Sequence, residues 1–193
     1  MDNITHSLVG ATLAELALPA GATRAQRGVF FVAGIVSANL PDADLLYTRI
    51  TPPPLGSLLH HRGHTHTIAG LAVGALLLGA LCMLPAVRRH VRPIRGRVAG
   101  LIAIALVSHL VLDSWNSYGI HPFWPFDSRW IYGDAIFIAE PWLWLLLGIA
   151  AALNTSHDRG RLALAALLMV PVAAAAWFRL VPASVLVALV AGA

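Results

Sequence analysis

The sequence predicts an all-helical, polytopic membrane bundle of about five to seven helices, with its metal-site residues clustered at one membrane face. Three observations carry that prediction. Hydrophobic residues make up 58% of the 193-residue chain and charged residues only 11%, against about 25% charged in soluble domains. So little charge cannot cover a water-soluble globule. The apolar residues fall in runs divided by short arginine blocks, and all thirteen basic residues are arginine. That is the distribution of topological signals and not of a nucleic-acid-binding face, so membrane lipids are the expected partners and nucleic acid is not. Finally, histidines and aspartates gather at the ends of the apolar runs.

Taken in order, residues 4–18 form an apolar helix carrying His6 and Glu15. Nothing before it resembles the basic region or cleavage site of a removable signal peptide. A basic turn with Pro19, Gly21, Arg24 and Arg27 follows, then a second apolar helix over residues 29–40 that ends at Pro41. Both helices are short for a crossing that needs about 20 residues. Residues 51–59, with three successive prolines, read as a stiff connector. Residues 67–87 carry no charge and are long enough to span.

Five arginines between Arg88 and Arg97 lead to another apolar helix over residues 98–112, with His109 and Asp113 at its far end. Residues 114–134 form an aromatic, proline-containing loop suited to the headgroup level. Residues 135–153 read as a further span interrupted early by Glu140 and Pro141, residues 154–161 as a polar loop, residues up to 177 as an apolar helix, and residues 181–193 as a short, uncharged apolar stretch. The lone Cys82 forms no intrachain disulfide and leaves the redox compartment unread. The whole chain, 1–193, is expected to be one membrane-embedded domain.

Nine arginines (Arg24, Arg27, the five from Arg88 to Arg97, Arg159 and Arg161) fall on one side of these crossings, and Arg49, Arg62, Arg129 and Arg179 on the other. The richer side is expected to be cytoplasmic. Alternate crossings then bring His6, Asp42, Asp44, the histidine-rich turn, His109 and Asp113 to the opposite face.

That turn, His60-His61-Arg62-Gly63-His64-Thr65-His66-Thr67, holds four of the nine histidines. It can be a metal site, with Gly63 letting the rings converge, or a wet turn capping a helix through Thr65 or Thr67. His109 and Asp113, spaced i, i+4, project from one helix face, as a chelating pair or as a hydrogen-bonded pair in a polar cavity. Ionisable groups in apolar segments are costly and mark function by default. Asp42 and Asp44 end an apolar helix, where two like charges repel unless a cation neutralises them. Mixed nitrogen and carboxylate donors suit a divalent metal, zinc first, with manganese or iron as alternatives. The number of donors fits a two-metal centre bridged by an aspartate, and one to three ions span the range. Such a centre would activate water and clamp the oxygens of a phosphoryl or acyl group.

The segments Thr5-His6-Ser7-Leu8, Leu40-Pro41-Asp42-Ala43-Asp44, His61-Arg62-Gly63-His64-Thr65-His66 and Ser108-His109-Leu110-Val111-Leu112-Asp113 resemble four signatures of one family. It comprises the YdjM/YbcI-type bacterial inner-membrane proteins, regarded as metal-dependent hydrolases. The resemblance is strongest over residues 1–135. It implies His6, Asp42, Asp44, His61, His66, His109 and Asp113 as metal ligands, and it ranks His64 and His60 below them because His64 falls on a variable position. The order of ligands also resembles that of zinc-dependent phospholipase C and single-strand nucleases. Their set, however, adds a second helical His-xxx-Glu pair and an N-terminal amine. Beyond Asp113 this chain offers only His121, Asp134 and Glu140, with no such pair.

The expected function is therefore hydrolysis of a phosphoester or other ester of a lipid or lipid-linked substrate, in the bacterial inner membrane, with the site on the extracytoplasmic face. Asp44 or Asp113 would serve as base. Arg62 would hold a phosphate oxygen or, equally, pair with Asp42 or Asp44. The alternative is a non-enzymatic protein with a structural or regulatory metal site, or a metal-ion transporter. Substrate and oligomeric state are not legible.

Overall fold

A computed structural model describes residues 1–52 and 61–154, and beyond them only scattered helical positions from Leu162 to Val187. The described residues contain six α-helices and no strand; an antiparallel bridge pairs Ile120 with Ile131. The helices are α1 (Asn3–Ala17), α2 (Arg24–Asn39), α3 (Ile68–Cys82), α4 (Pro85–Val91), α5 (Arg95–Ser114) and α6 (Pro141–Asn154). Two compact units divide the chain, Met1–Ile138 and Ala139–Ala193. Every candidate ligand lies in the first.

Within that unit, α1 and α2 approach closely because their facing positions are small. A Cβ on Gly10 would fall on the carbonyl of Gly34, and one on Gly34 on the carbonyl of Gly10. His6, Gly10 and Ala14 form one buried stripe on α1, and Gly34 and Ala38 one on α2, so both faces place small residues four apart, as in close helix pairs of membranes. α5 packs against both, through Val98, Leu101, Ile102 and Leu106, which form the apolar core with Phe30, Leu71 and Leu78.

Helix α2 begins five residues earlier than the sequence suggests. Thr23 accepts a hydrogen bond from the Gln26 amide and Gln26 caps the Thr23 amide in return, a capping box that carries Arg24 and Arg27 into the helix. At its other end the chain tightens into a 3-10 helix, Leu40–Leu46. Together Arg24–Leu46 make 23 residues, long and apolar enough to cross a membrane. The second helix is thus not too short for a span.

The arginine block is also helical and not a loop. Pro85 starts α4, the 3-10 turn Arg92–Ile94 follows, and α5 starts at Arg95. Pro fits the first turn, where its missing N–H costs nothing, and arginine is a good helix former. Pro85–Ser114 is the second stretch of sufficient length and apolarity to cross. In the second unit Pro141 likewise starts α6, so that helix begins at Pro141 and not at residue 135. Most of the connector at 51–59, and the expected loop and apolar segments after residue 154, lie outside the described residues.

The start of α1, the end of α2, the start of α3 and the end of α5 come together at one end of the unit. The 115–138 loop closes over it: Ala135 donates to the Trp115 carbonyl, Ile68 to that of Pro122, and Asp2 to that of Ile138. At the opposite end Arg97 donates to the Ala17 carbonyl at the close of α1.

Candidate metal centre

Four buried side chains converge at the loop-covered end: Asp42, His66, His109 and Asp113, with ligand atoms within 4.8 Å of one another. His66 Nε2 lies 3.4 Å from Asp42 Oδ1, 3.3 Å from Asp113 Oδ2 and 3.1 Å from His109 Nε2. His109 Nε2 lies 3.6 Å from the same oxygens of Asp42 and Asp113. A tetrahedron with metal–ligand bonds of about 2.0–2.1 Å has edges of about 3.3–3.4 Å. These separations lie close to those edges, so the group could hold one small divalent cation.

Protons support the same fit. His109 Nδ1 is 2.6 Å from the Ala38 carbonyl, which only accepts, so the proton sits on Nδ1 and Nε2 offers a lone pair. His66 turns Nδ1 toward Thr65 Oγ1 at 3.0 Å and Asp44 Oδ2 at 3.3 Å, again aiming Nε2 inward. Partners on the outer nitrogen commonly orient metal-bound histidines in this way. Two such nitrogens 3.1 Å apart need a proton or a cation between them. Asp113 Oδ2 is buried with no hydrogen bond. Burial pulls the His66 pKa down, but contact with the carboxylates of Asp113, Asp42 and Asp44 outweighs it and pushes the value up to about 10.

A second group, Asp42, Asp44 and His61, shares Asp42 with the first. His61 Nδ1 is 3.1 Å from Asp44 Oδ1, and its side chain is 20% exposed while that of Asp44 is fully buried. Asp44 Oδ2 accepts from the Arg62 amide at 2.8 Å and Thr65 Oγ1 at 2.9 Å. One carboxylate thus holds the histidine-rich turn in place while its other oxygen faces His61.

His6 sits beside both His109 and Asp113 but in neither group. Its ring stacks on His109 at 3.8 Å between centroids, and its Nε2 is 3.4 Å from Asp113 Oδ1. Both of its ring nitrogens are buried without a hydrogen bond. The Met1 amine also contacts Asp113.

Arg62 does not pair with Asp42 or Asp44 through its side chain. Its guanidinium is buried, with Nε 3.1 Å from Asp113 Oδ2 and Nη1 donating to Asn116 Oδ1 and the Gly119 carbonyl, each at 3.0 Å. Its backbone is left-handed, φ 59°, so the turn reverses at Arg62, one residue before the glycine expected to do so. The geometry therefore gives the guanidinium to Asp113.

The remaining candidates stand apart. His64 is exposed and lies against Trp124 at 4.5 Å between ring centroids. His121 lies against Trp130 at 4.6 Å. Asp134 is exposed, and none of these three belongs to either ligand group among the described residues. His60 lies outside the described residues. Thr67, and not Thr65, caps α3, accepting from the Gly70 amide at 2.9 Å while donating to the His64 carbonyl at 2.8 Å.

Three asparagines complete the site and are absent from the sequence-based candidates. Asn3 donates to Asp42 Oδ2 at 3.0 Å, leaving Oδ1 to the cluster. Asn39 holds Asn3 and Ser7, and Asn116 holds Arg62. Each stands three residues from a motif residue: Asn3 from His6, Asn39 from Asp42, Asn116 from Asp113. That three-residue spacing from the motifs is a signal the sequence does contain.

Fold and site together define a helical membrane protein with a buried Asp/His cluster suited to a metal ion. The chain belongs to the YdjM inner membrane protein family, whose model matches residues 1–186. No curated protein and no solved structure matches it.

Proposed function

We propose that the protein is a multi-pass, metal-dependent hydrolase of the inner membrane, cleaving a phosphoester or other ester of a lipid or lipid-linked substrate. The observation that carries this reading is the pair of ligand groups sharing Asp42. One group has four protein donors, all buried, and suits a closed tetrahedral ion; the other has three, with His61 partly exposed, and leaves room for water. Zinc suits these donors best. A divalent cation bound there would supply Lewis acidity, easing loss of a proton from water and neutralising oxygens of the reacting group.

The chain's own residues do the rest. Within the second group, Asp44 Oδ1, facing His61, would accept the proton. Arg62 and Asn116 hold Asp113 in orientation. Arg24, Arg27 and the Arg88–Arg97 block belong to helix ends opposite the cluster, which supports an extracytoplasmic site. A reporter fused after Arg92 tests this and is expected to read cytoplasmic.

The closed four-donor group by itself also suits a purely structural ion, the non-enzymatic reading. Metal analysis of detergent-purified protein, then activity screening on phosphodiester and lipid substrates, separates the two. Metal-dependent hydrolysis lost in Asp44→Asn supports the hydrolase. Stoichiometric metal with no hydrolysis of any lipid ester leaves the structural reading.

A further inference from the structure

A groove of about 500 Å³ runs along α3 from the cluster end. Its walls are Leu40, Val73, Gly74, Leu77 and Leu106, and His64, Thr65 and Trp124 stand at its polar end. We infer that this groove holds one hydrocarbon chain of a phosphate-bearing membrane lipid whose head group lies at the metal centre. The inference rests on the hydrolase reading above and names the part of the substrate that reading leaves open.

Three features of the groove point to that occupant. The lining is almost wholly apolar, and Val73 and Leu77 are both more than half exposed, so in a bilayer the groove opens sideways to lipid. A chain enters it without crossing water, and the groove lies within the volume range of small-molecule sites. Ala69 to Leu77 spans about 12 Å of helix, a length that fits an extended chain and not a second helix laid across it.

The groove also adjoins the donors. Pro41 and Ala43, which line it, flank Asp42, and Thr65 and Thr67 flank His66. Thr65 belongs to both, lining the groove while donating to Asp44. Gly70, another lining residue, lets the turn lie directly on α3, since a Cβ there would strike the carbonyls of His64 and Thr65. A chain in this groove therefore places its head beside the turn that carries His61 and His66.

Dioleoyl phosphatidic acid is the probe, its retention by the metal-loaded full-length protein read by native mass spectrometry. Val73→Trp and Leu77→Trp replace exposed side chains, so they fill the groove without disturbing the core. Each is expected to lower retention about tenfold, equivalent to roughly 1.4 kcal/mol, with metal content unchanged. Leu76→Trp, more exposed on the same helix and not lining the groove, is expected to leave retention as in the parent. Unchanged retention in Val73→Trp and Leu77→Trp overturns the inference. An equal loss in Leu76→Trp overturns it in favour of annular lipid. The two readings fail separately. Groove-dependent retention without hydrolysis of any lipid ester sinks the hydrolase reading alone. Metal-dependent cleavage of bis(p-nitrophenyl) phosphate with groove-independent retention sinks this inference alone.

Discussion

His66 Nε2 faces His109 Nε2 across 3.1 Å, with neither ring free to turn its other nitrogen inward. Two lone pairs at that separation repel, so the pair is stable only around a positive charge. Asp42 and Asp113 supply the balancing negative charge from 3.4 and 3.3 Å.

His109→Ala and Asp113→Ala are therefore expected to strip the ion while the bundle stays inserted. His64→Ala is expected to keep it, since that ring lies against Trp124. Metal analysis of the purified variants checks this. Full metal in His109→Ala together with none in His64→Ala would reverse the ligand assignment.

In the ion-free protein, His66 holds its proton to about pH 10, against an ordinary 6.5. A raised value means that the stability due to this proton is complete below about pH 6.5 and is lost as the pH climbs toward 10. A cation takes only the neutral ring, so loading near neutral pH is expected to release about one proton from His66, and affinity to rise with pH. Calorimetric titration in buffers of different ionisation enthalpy counts that proton. Identical heats in all buffers would show that no such competition exists.

Asn3→Ala removes the hydrogen bond that turns Asp42 Oδ1 toward the cluster. Losses of this kind lower metal affinity by about 10–100-fold. Competition with a chelator measures it, and an unchanged affinity would mean that Asp42 is oriented by something else.

Gly10→Leu is expected to force α1 from α2, costing roughly 1–3 kcal/mol or more through overpacking. Gly28→Ala on α2 meets nothing within 4 Å and is expected to stay within about 0.5 kcal/mol. Thermal unfolding in detergent compares them. Equal melting of both variants would remove the close contact from the account of the fold.

The histidines and aspartates of the cluster are legible because imidazoles and carboxylates stand out at the ends of apolar runs. Arg62 is harder. Its partner Asp113 lies 51 positions away, and only the left-handed turn at Arg62 aims the guanidinium there, a backbone state that residue type does not announce. The helicity of the Arg88–Arg97 block is obscured because charge in a hydrophobic sequence looks like punctuation, although arginine favours helix. The early start of α2 is written in Thr23 and Gln26, a local signal outweighed by Pro19 and Gly21 nearby. The three asparagines are neutral, so they carry no charge cost to mark them, and only their spacing from the motifs gives them away.

The four-donor group draws on residues 42, 66, 109 and 113. During synthesis, half of those donors exist only once α5 has emerged. An ion bound by that group is therefore acquired after the membrane segments are in place, and not carried in by the nascent chain. Chains arrested before residue 109 are expected to bind no metal through this group. The metal supply on the side of the membrane onto which the loop-covered end opens then decides which ion that group receives.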